Sequence, residues 1–154
     1  MSYGRWIIEH LLAEEGYAGV VYLDTKGLPT GGIGHLILPE DGLKVGDAVP
    51  DDLVRLWFCQ DLCSAESDFS SLFGAGRGRI NDARRVALVS MCWQMGRLRV
   101  LGFREMRKAI MGGDWALAAR EALDSQWARE DTPARAARVA RMLDLGVYRG
   151  RNRE

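Results

Sequence analysis

The spacing of apolar residues along the chain predicts which segments fold as helices and which as strands. In residues 3–14 the apolar positions recur at intervals of three and four, as on one face of a helix. Residues 19–23 are β-branched and aromatic, which is typical of a short strand. Residues 24–27 follow as a tight turn in which Gly27 can take a positive φ, and residues 28–33 would return as the second strand. This part of the chain therefore predicts a helix followed by a β-hairpin.

The rest of the chain predicts mainly helices. A proline and two aspartates at residues 50–52 are typical of a helix start, and apolar residues follow at helical spacing through about Phe69. Asn81 would cap a helix whose apolar residues cover nearly its full circumference, as in a central core helix. Shorter helices are predicted over residues 102–111, 114–123 and 133–143, the last of them capped by Thr132.

Two segments between these helices predict irregular structure. Residues 37–49 contain proline, glycine and mixed charge, so we expect a loop with one short strand at residues 43–45. The glycine-rich residues 72–80 predict a flexible linker. They lack the preceding strand and the lysine of a phosphate-binding loop, so a nucleotide site is not expected there.

A length of 154 residues suits one domain with a sizeable apolar core. No segment approaches the ~18 consecutive apolar residues of a membrane span, so stable membrane insertion is not expected. Glu9 and His10 interrupt the apolar residues near the N-terminus, so no signal peptide is predicted. On this interpretation something else must carry the protein to any substrate outside the cytoplasm.

Three cysteines cannot all pair with one another. Cys59 and Cys63 are four residues apart on a predicted helix, and Cys92 lies in the apolar helix that follows. We predict that all three are buried thiols rather than redox groups. No histidine accompanies them at metal-binding spacing, so no zinc site is expected. Reduced thiols would suit synthesis in a cytoplasm.

Formal charges divide unevenly along the chain, although the net charge is zero. Residues 1–76 carry 4 basic and 12 acidic side chains, a balance of −8, whereas residues 77–154 carry 17 basic and 9 acidic side chains, a balance of +8. The basic half would suit an anionic polymer such as cell-wall peptidoglycan, and a solvated arginine surface is the alternative. We expect no nucleic-acid partner, because no recognition helix or base-stacking pattern accompanies the arginines.

Three polar side chains lie near the predicted hairpin, on three backbone segments. Glu15 ends the first helix just before Gly16, Asp24 is at the hairpin turn, and Thr30 is on the returning strand. Paired carboxylates are the chemistry of glycoside hydrolysis, in which one acid protonates the leaving oxygen and the other carboxylate directs water. Glu15, beside apolar helix residues and at the negative end of the helix dipole, is the better candidate for the acid, and Asp24 for the anion.

The spacing of these three residues resembles that of the phage-type lysozymes, glycoside hydrolase family 24. The shared pattern is Glu, eight residues, Asp, five residues, Thr, and a Gly-Ile-Gly-His-Leu segment follows it at residues 32–36. Further matches to the T-even phage lysozymes fall in family order along nearly the whole chain. They are Gln60-Asp61, Trp93-Gln94-Met95-Gly96, Gly102-Phe103, Asp114-Trp115, Ser125-x-Trp127 and Thr132-Pro133-x-Arg135.

The resemblance implies an α+β, lysozyme-like fold with a small β-hairpin lobe and a larger helical lobe joined by a long helix. On this basis the chain is a single lysozyme domain, residues 1–154. Residues 15–49 would form the small lobe and residues 50–70 the bridging helix. Residues 1–14 and 77–154 would form the helical lobe.

The resemblance also assigns supporting roles to residues outside the acid pair. It implies an ion pair between His35 and Asp61, which we expect to be a structural contact, with His35 as a catalytic base being the alternative. Arg135 corresponds to the arginine that pairs with the catalytic glutamate in this family, and its alternative is one more exposed cation.

Three residues are predicted to bind substrate, namely Leu36, Trp93 and Gln94. By its family position Trp93 would line the cleft, where its ring could lie against a sugar face, and packing in the core is the alternative. No metal or cofactor is expected.

The activity that the resemblance implies is hydrolysis of the β-1,4 bond between N-acetylmuramic acid and N-acetylglucosamine in peptidoglycan. Glu15 would be the general acid, while Asp24 and Thr30 would hold the water that attacks the opposite face, so that the anomeric configuration inverts. A transglycosylase, with one acid and no attacking water, is the alternative enzyme. A non-catalytic wall-binding structural component is the alternative from another class, although it would have no use for this spacing.

The expected biological setting is a monomeric phage endolysin. It would be made in the host cytoplasm, released through a holin pore, and active on the cell wall in the periplasm. A virion-borne or tail-associated lysozyme, which opens the wall during entry, would have much the same sequence.

Overall fold

The computed structural model describes residues 2–149 and has an α+β architecture, as predicted. The chain divides into two compact units, which we call the β unit, Leu11–Ser64, and the helical unit, which comprises the residues up to His10 and those from Ala65 onward. The lobe boundaries proposed from the sequence stay a prediction. The helices are α1 (Tyr3–Glu15), α2 (Asp51–Phe73), α3 (Asp82–Met95), α4 (Arg97–Leu101), α5 (Arg104–Gly112), α6 (Trp115–Leu123) and α7 (Pro133–Leu145), and the strands are β1 (Ala18–Leu23), β2 (Pro29–Gly32) and β3 (His35–Leu36).

The β unit contains a three-stranded antiparallel sheet in the order β1-β2-β3. The predicted turn between β1 and β2 is present, with Gly27 at a φ of +76°. β2 is shorter than predicted because Gly32, at a φ of +61°, ends the extended backbone. The chain then returns as β3, which pairs His35 with Gly31 and was not predicted from the sequence.

No strand forms at residues 43–45, contrary to the prediction. Gly46 has a φ of +94°, which interrupts extended backbone at this point. Its N–H donates to the carbonyl of Val21, and the N–H of Val49 donates to the carbonyl of Gly19, both at 2.9 Å. The loop therefore satisfies the edge of β1 that does not face β2 without forming a strand of its own.

The core of the β unit is one apolar cluster drawn from the sheet, the loop after it and α2. Val21 points into this core, whereas Val20 and Tyr22 on either side of it are exposed, which is the alternation expected of a strand. The buried members of the cluster are Val21, Ile37, Val49, Val54 and Trp57.

The helical unit is organised around α3, as the sequence predicted. Residues 86–92 are all buried, and α3 packs against α4 and α7. The helix begins at the predicted cap, where the Asn81 side chain accepts a hydrogen bond from the N–H of Arg84 at 3.0 Å. None of the helices within residues 2–149 is both long enough and apolar enough to cross a membrane.

The flexible linker predicted at residues 72–80 is wrong. α2 continues to Phe73, and a 3-10 helix occupies Gly74–Arg79. The reason is packing: Phe69 and Phe73 are four residues apart on one face of α2, both are fully buried, and their ring centroids are 5.8 Å apart. The short helix α4 was likewise not predicted.

The prediction of three buried cysteines holds only for Cys92. Cys59 and Cys63 are exposed, because at 100° per residue they point away from Trp57, which packs in the apolar core of the β unit. Burial raises the pKa of the Cys92 thiol to about 12, so this cysteine is protonated at neutral pH.

Candidate active site

Glu15 is the last residue of α1 and is partly buried. Gly16 ends the helix with a φ of +68°, and its N–H donates to the carbonyl of Leu12 at 3.0 Å. The Glu15 carboxylate packs against the backbone of Gly34, where a Cβ atom would lie only 2.6 Å from Glu15 Oε2. Any side chain at residue 34 would therefore displace the carboxylate.

Asp24 follows β1 directly and is held by the turn that it begins. Its Oδ1 accepts hydrogen bonds from the backbone N–H groups of Lys26 and Leu28, both at 2.8 Å. This is the arrangement by which an aspartate stabilises its own turn. Both bonds end on the same oxygen, so Oδ2 takes no part in the turn.

Thr30 is buried in β2 and lies opposite Tyr22 on β1. Its hydroxyl donates to the carbonyl of Leu28 at 3.1 Å. Because a hydroxyl has one hydrogen and two lone pairs, Thr30 Oγ1 can still accept a hydrogen bond from a water molecule.

Leu28 joins two of the predicted site residues through its backbone. Its N–H donates to Asp24, and its carbonyl accepts from Thr30. The two side chains are therefore fixed to one residue of the hairpin. The sequence identified Asp24 and Thr30 but gave no sign of the part played by Leu28, which contributes only backbone atoms.

The predicted contact between His35 and Asp61 is present. His35 Nδ1 lies 2.8 Å from Asp61 Oδ2, and the ring stacks on Trp57 with centroids 4.1 Å apart. A second carboxylate, which was not predicted, lies on the other side: Nε2 is 3.2 Å from Asp41 Oδ2. With both ring nitrogens engaged, the geometry favours a structural role.

Arg135 is buried in the helical unit, so the alternative of an exposed cation is wrong. Its Nη2 donates to Ser90 Oγ at 3.3 Å. The same oxygen lies 2.9 Å from Nε2 of His10, and His10 and Ser90 are also buried. This row of three side chains connects α1, α3 and α7. The pairing of Arg135 with the catalytic glutamate stays a prediction.

The amide of Gln94 is engaged at both ends. Its Nε2 donates to Thr132 Oγ1, and its Oε1 accepts from Trp127 Nε1, both at 3.0 Å. Thr132 precedes α7 as predicted, but its side chain makes no cap hydrogen bond to that helix, and its hydroxyl accepts from Gln94. Gln94 therefore holds both ends of the π-helical turn Trp127–Asp131.

The other predicted substrate-binding residues are accessible to different degrees. Trp93 is partly buried near the end of α3, and Leu36 is 45% exposed on β3. The substrate-binding roles of Leu36, Trp93 and Gln94 stay predictions.

The helical unit also contains an open pocket of about 490 Å³. It is lined by aromatic, basic and acidic side chains together, so it could hold a ligand that carries charges of both signs. The charged and aromatic residues that line it include Arg99, Phe103, Arg104, Glu121, Asp124 and Trp127.

The fold and these residues define a class of protein. A glutamate at a helix end, an aspartate at the following hairpin turn and a threonine on the returning strand, in an α+β chain with a small sheet and many helices, are the features of a lysozyme. A family model described as phage lysozyme matches residues 13–149, and the chain belongs to that family. The family identified from the sequence is thus confirmed, and membership supports a glycoside hydrolase that acts on peptidoglycan.

Similar proteins come from a phage and from a eukaryote. The pre-baseplate central spike protein Gp5 of Enterobacteria phage T4 is 32% identical over 158 residues, which cover 90% of this chain and 27% of the spike protein. The chain therefore spans about a quarter of that relative. Two proteins of Dictyostelium discoideum, probable T4-type lysozymes 1 and 2, are 30% and 28% identical and cover 92% and 88% of this chain. The chain matches 95% and 92% of their lengths.

Proposed function

We propose that the protein cleaves the β-1,4 bond between N-acetylmuramic acid and N-acetylglucosamine by inverting hydrolysis. The observation that carries this proposal is the hairpin in which Leu28 bonds to both Asp24 and Thr30. Inverting hydrolysis requires a positioned water molecule. A carboxylate and a hydroxyl that are both held by one residue form a rigid binding site for that water.

Asp24 and Thr30 would orient this water by accepting its two hydrogens. The Thr30 hydroxyl already donates its one hydrogen bond to the Leu28 carbonyl, so toward the water its oxygen can only accept a hydrogen bond. A water that donates to both side chains keeps a lone pair for attack on the anomeric carbon. As the new C–O bond forms, Asp24 takes the proton of the water, which is general-base catalysis.

Glu15 would protonate the glycosidic oxygen as the bond to the anomeric carbon breaks. Its carboxylate is positioned by the end of α1 and by the backbone of Gly34, which leaves room for it. Attack by water on the face opposite the leaving group inverts the anomeric configuration. It also requires the two carboxyl groups to be about 6.5–9.5 Å apart in the complex.

Host-cell lysis is the biological role that we propose, with the protein acting as a monomer on peptidoglycan. It would reach the wall from the host cytoplasm through a holin pore. The similarity to the phage T4 central spike protein favours a second candidate, a particle-borne lysozyme that opens the wall at entry. Purified virions probed with an antibody against the protein would separate the two roles, because only the second places it in the particle.

The catalytic proposal is tested by clearing of outer-membrane-permeabilised bacteria. We expect Glu15→Gln to lower the rate by about 10²-fold or more, because the amide cannot donate a carboxylic proton. Glu9→Gln is the matched control, since Glu9 is an exposed glutamate on the same helix and its loss should leave the rate unchanged. Circular dichroism must show equal folding of all three proteins.

The products then distinguish the mechanisms. Hydrolysis gives fragments with a free reducing end, and NMR during the reaction should show the inverted anomer first. Anhydro sugars would identify a transglycosylase, and the retained anomer would exclude Asp24 as the residue that positions water. No clearing by the folded wild type, together with binding to isolated walls, would support a structural wall-binding protein.

A further inference from the structure

Cys59 and Cys63 are the feature of the molecule that the proposed function leaves unexplained. Both are exposed on α2, whereas cysteine is among the residue types most often buried in folded proteins. Cys92 follows the usual behaviour and is buried. Two exposed thiols on the same helix therefore call for a chemical explanation.

The two thiols lie on the same face of α2. Residues four apart on a helix are neighbours, with Cβ atoms about 5–6 Å apart. α2 is a continuous helix over Asp51–Phe73, and Trp57, which points away from both cysteines, packs in the apolar core of the β unit. The backbone between Cys59 and Cys63 is thus held in a regular helical turn.

This spacing disfavours a disulfide within the helix. A disulfide brings the Cβ atoms to about 3.5–4.5 Å, closer than one turn of a regular helix allows. An atom placed between the sulfurs needs no such approach, because sulfur–metal bonds are themselves about 2.3 Å long. The pair is therefore better suited to holding a third atom between the two thiols than to closing on itself.

The ligands available select the kind of atom. Among residues 2–149 no group of three or more histidine, cysteine or acidic side chains could hold a metal ion. Zinc takes four protein ligands at a structural site, so two thiols alone do not suit it. The pair of thiols suits a soft, thiophilic atom that needs only two sulfur ligands, because thiolate is the softest ligand that proteins offer.

We propose that Cys59 and Cys63 form a chelating site for trivalent organoarsenic compounds, the class of thiophilic ligand that takes two sulfurs on one atom. With phenylarsine oxide, both thiols condense with the arsenic. Two As–S bonds form, the As–O bond breaks, and the two thiol hydrogens leave with the oxygen as one water molecule. Arsenic stays trivalent, so the step needs no oxidant or reductant.

The test is intact-mass spectrometry after incubation with phenylarsine oxide and challenge with excess 2-mercaptoethanol. We expect the wild type to hold one phenylarsenic group in place of two hydrogens. Two-point attachment should make this adduct about 10²-fold or more resistant to the monothiol than attachment through one thiol. The dithiol 1,2-ethanedithiol, which also binds arsenic through two sulfurs, should remove it.

Matched variants identify the two sulfurs. Cys59→Ser and Cys63→Ser should each lose the resistance to monothiol, while Cys92→Ser should behave as the wild type. The double variant Cys63→Ser with Ser64→Cys keeps two exposed thiols but moves one of them about 100° around the helix, and it should bind weakly. Circular dichroism checks that each variant folds.

Three outcomes would overturn the proposal. One is retention of the resistant adduct in either single variant, and another is equal resistance in the variant with the shifted thiol. The third is an adduct whose mass contains two chains, because the site would then lie between molecules rather than on one helix.

Discussion

The two units hold their polar side chains in different ways. In the β unit, Asp24 and Thr30 bond to backbone groups no more than four residues away. In the helical unit, Ser90 contacts His10 and Arg135, which are 80 and 45 residues away from it in the sequence, through their side chains. One arrangement depends on the local path of the chain, and the other on how distant helices pack.

This difference predicts different responses to substitution. A side chain held by the backbone can be changed in its chemistry while its hydrogen-bond partners stay in place, so activity should fall with little change in stability. A buried side chain held by other side chains cannot be changed alone, because its partners lose a hydrogen bond in a place that water does not reach. Stability should then fall first.

The largest effect is expected at Asp24. In Asp24→Asn the amide oxygen can still accept from the N–H groups of Lys26 and Leu28, so the turn is kept while the base is lost. We expect the clearing rate to fall about 10²–10⁴-fold and the free energy of unfolding to change by less than about 1 kcal/mol. Asp47→Asn is the control, because Asp47 also accepts a backbone N–H, from Lys44 at 2.9 Å. A large loss of stability in Asp24→Asn alone would contradict the expectation that a side chain held by the backbone can be changed with little effect on stability.

Gly34→Ala tests the space beside the acid. The new Cβ would collide with Glu15, and we expect a loss of about 10²-fold in rate from misplacing the acid by as little as 1 Å. Gly42→Ala separates this collision from backbone strain, since Gly42 has a similar φ, +67° against +63°, and no atom within 4 Å of its Cβ position. The left-handed backbone should cost each variant roughly 1–2 kcal/mol of stability. Equal activity in the two would show that Gly34 does not position Glu15.

The sequence could predict the hairpin and its polar residues because both depend on neighbours along the chain. The β-branched and aromatic residues, the turn glycine and the aspartate that begins the turn all act within a few residues, and they predicted β1, the turn and β2. The family spacing then assigned catalytic roles to Glu15, Asp24 and Thr30 together. Nothing local marks Asp41 as a partner of His35, because that contact exists only once the chain after β3 has folded back.

The helix ends and side-chain contacts of the helical unit were harder to predict from the sequence, because they depend on residues that are distant along the chain. The apolar pattern predicted α3 correctly, yet it ended α2 too early, because the burial of Phe73 follows from the packing of distant residues. His10 lies within the helix predicted over residues 3–14, but its contact with Ser90 depends on the position of α3. Only the family resemblance distinguished Arg135 from a surface cation, because burial of a charged side chain leaves no periodic signal in the sequence.

Ser90→Ala measures the cost of the contacts between distant side chains. It removes the oxygen that His10 and Arg135 both contact, and we expect the free energy of unfolding to fall by about 1–3 kcal/mol in urea denaturation. Ser125→Ala makes the same truncation where the hydroxyl bonds only to the nearby backbone of Ala122 and Ala128. A smaller loss, about 0.5–1.5 kcal/mol, is expected there. If Ser125→Ala lost more stability than Ser90→Ala, contacts between distant side chains would not be the more costly kind to remove.

The smallest effect is expected at His35, the residue of the β unit that is held by side chains and not by nearby backbone groups. His35 is held by side chains, Asp61 at 2.8 Å and Asp41 at 3.2 Å, and by stacking on Trp57. We expect Asp41→Asn to lower the free energy of unfolding by about 0.5–1 kcal/mol, and Asp61→Asn to lower it further because its contact is shorter. Thermal and urea denaturation of the two variants would rank them. Clearing rates, measured well below the unfolding temperature, should stay near that of the wild type. If either variant lost activity at unchanged stability, His35 would take part in the reaction. The β unit would then contain one catalytic group, its only histidine, that is held by side chains and not by hydrogen bonds to the backbone.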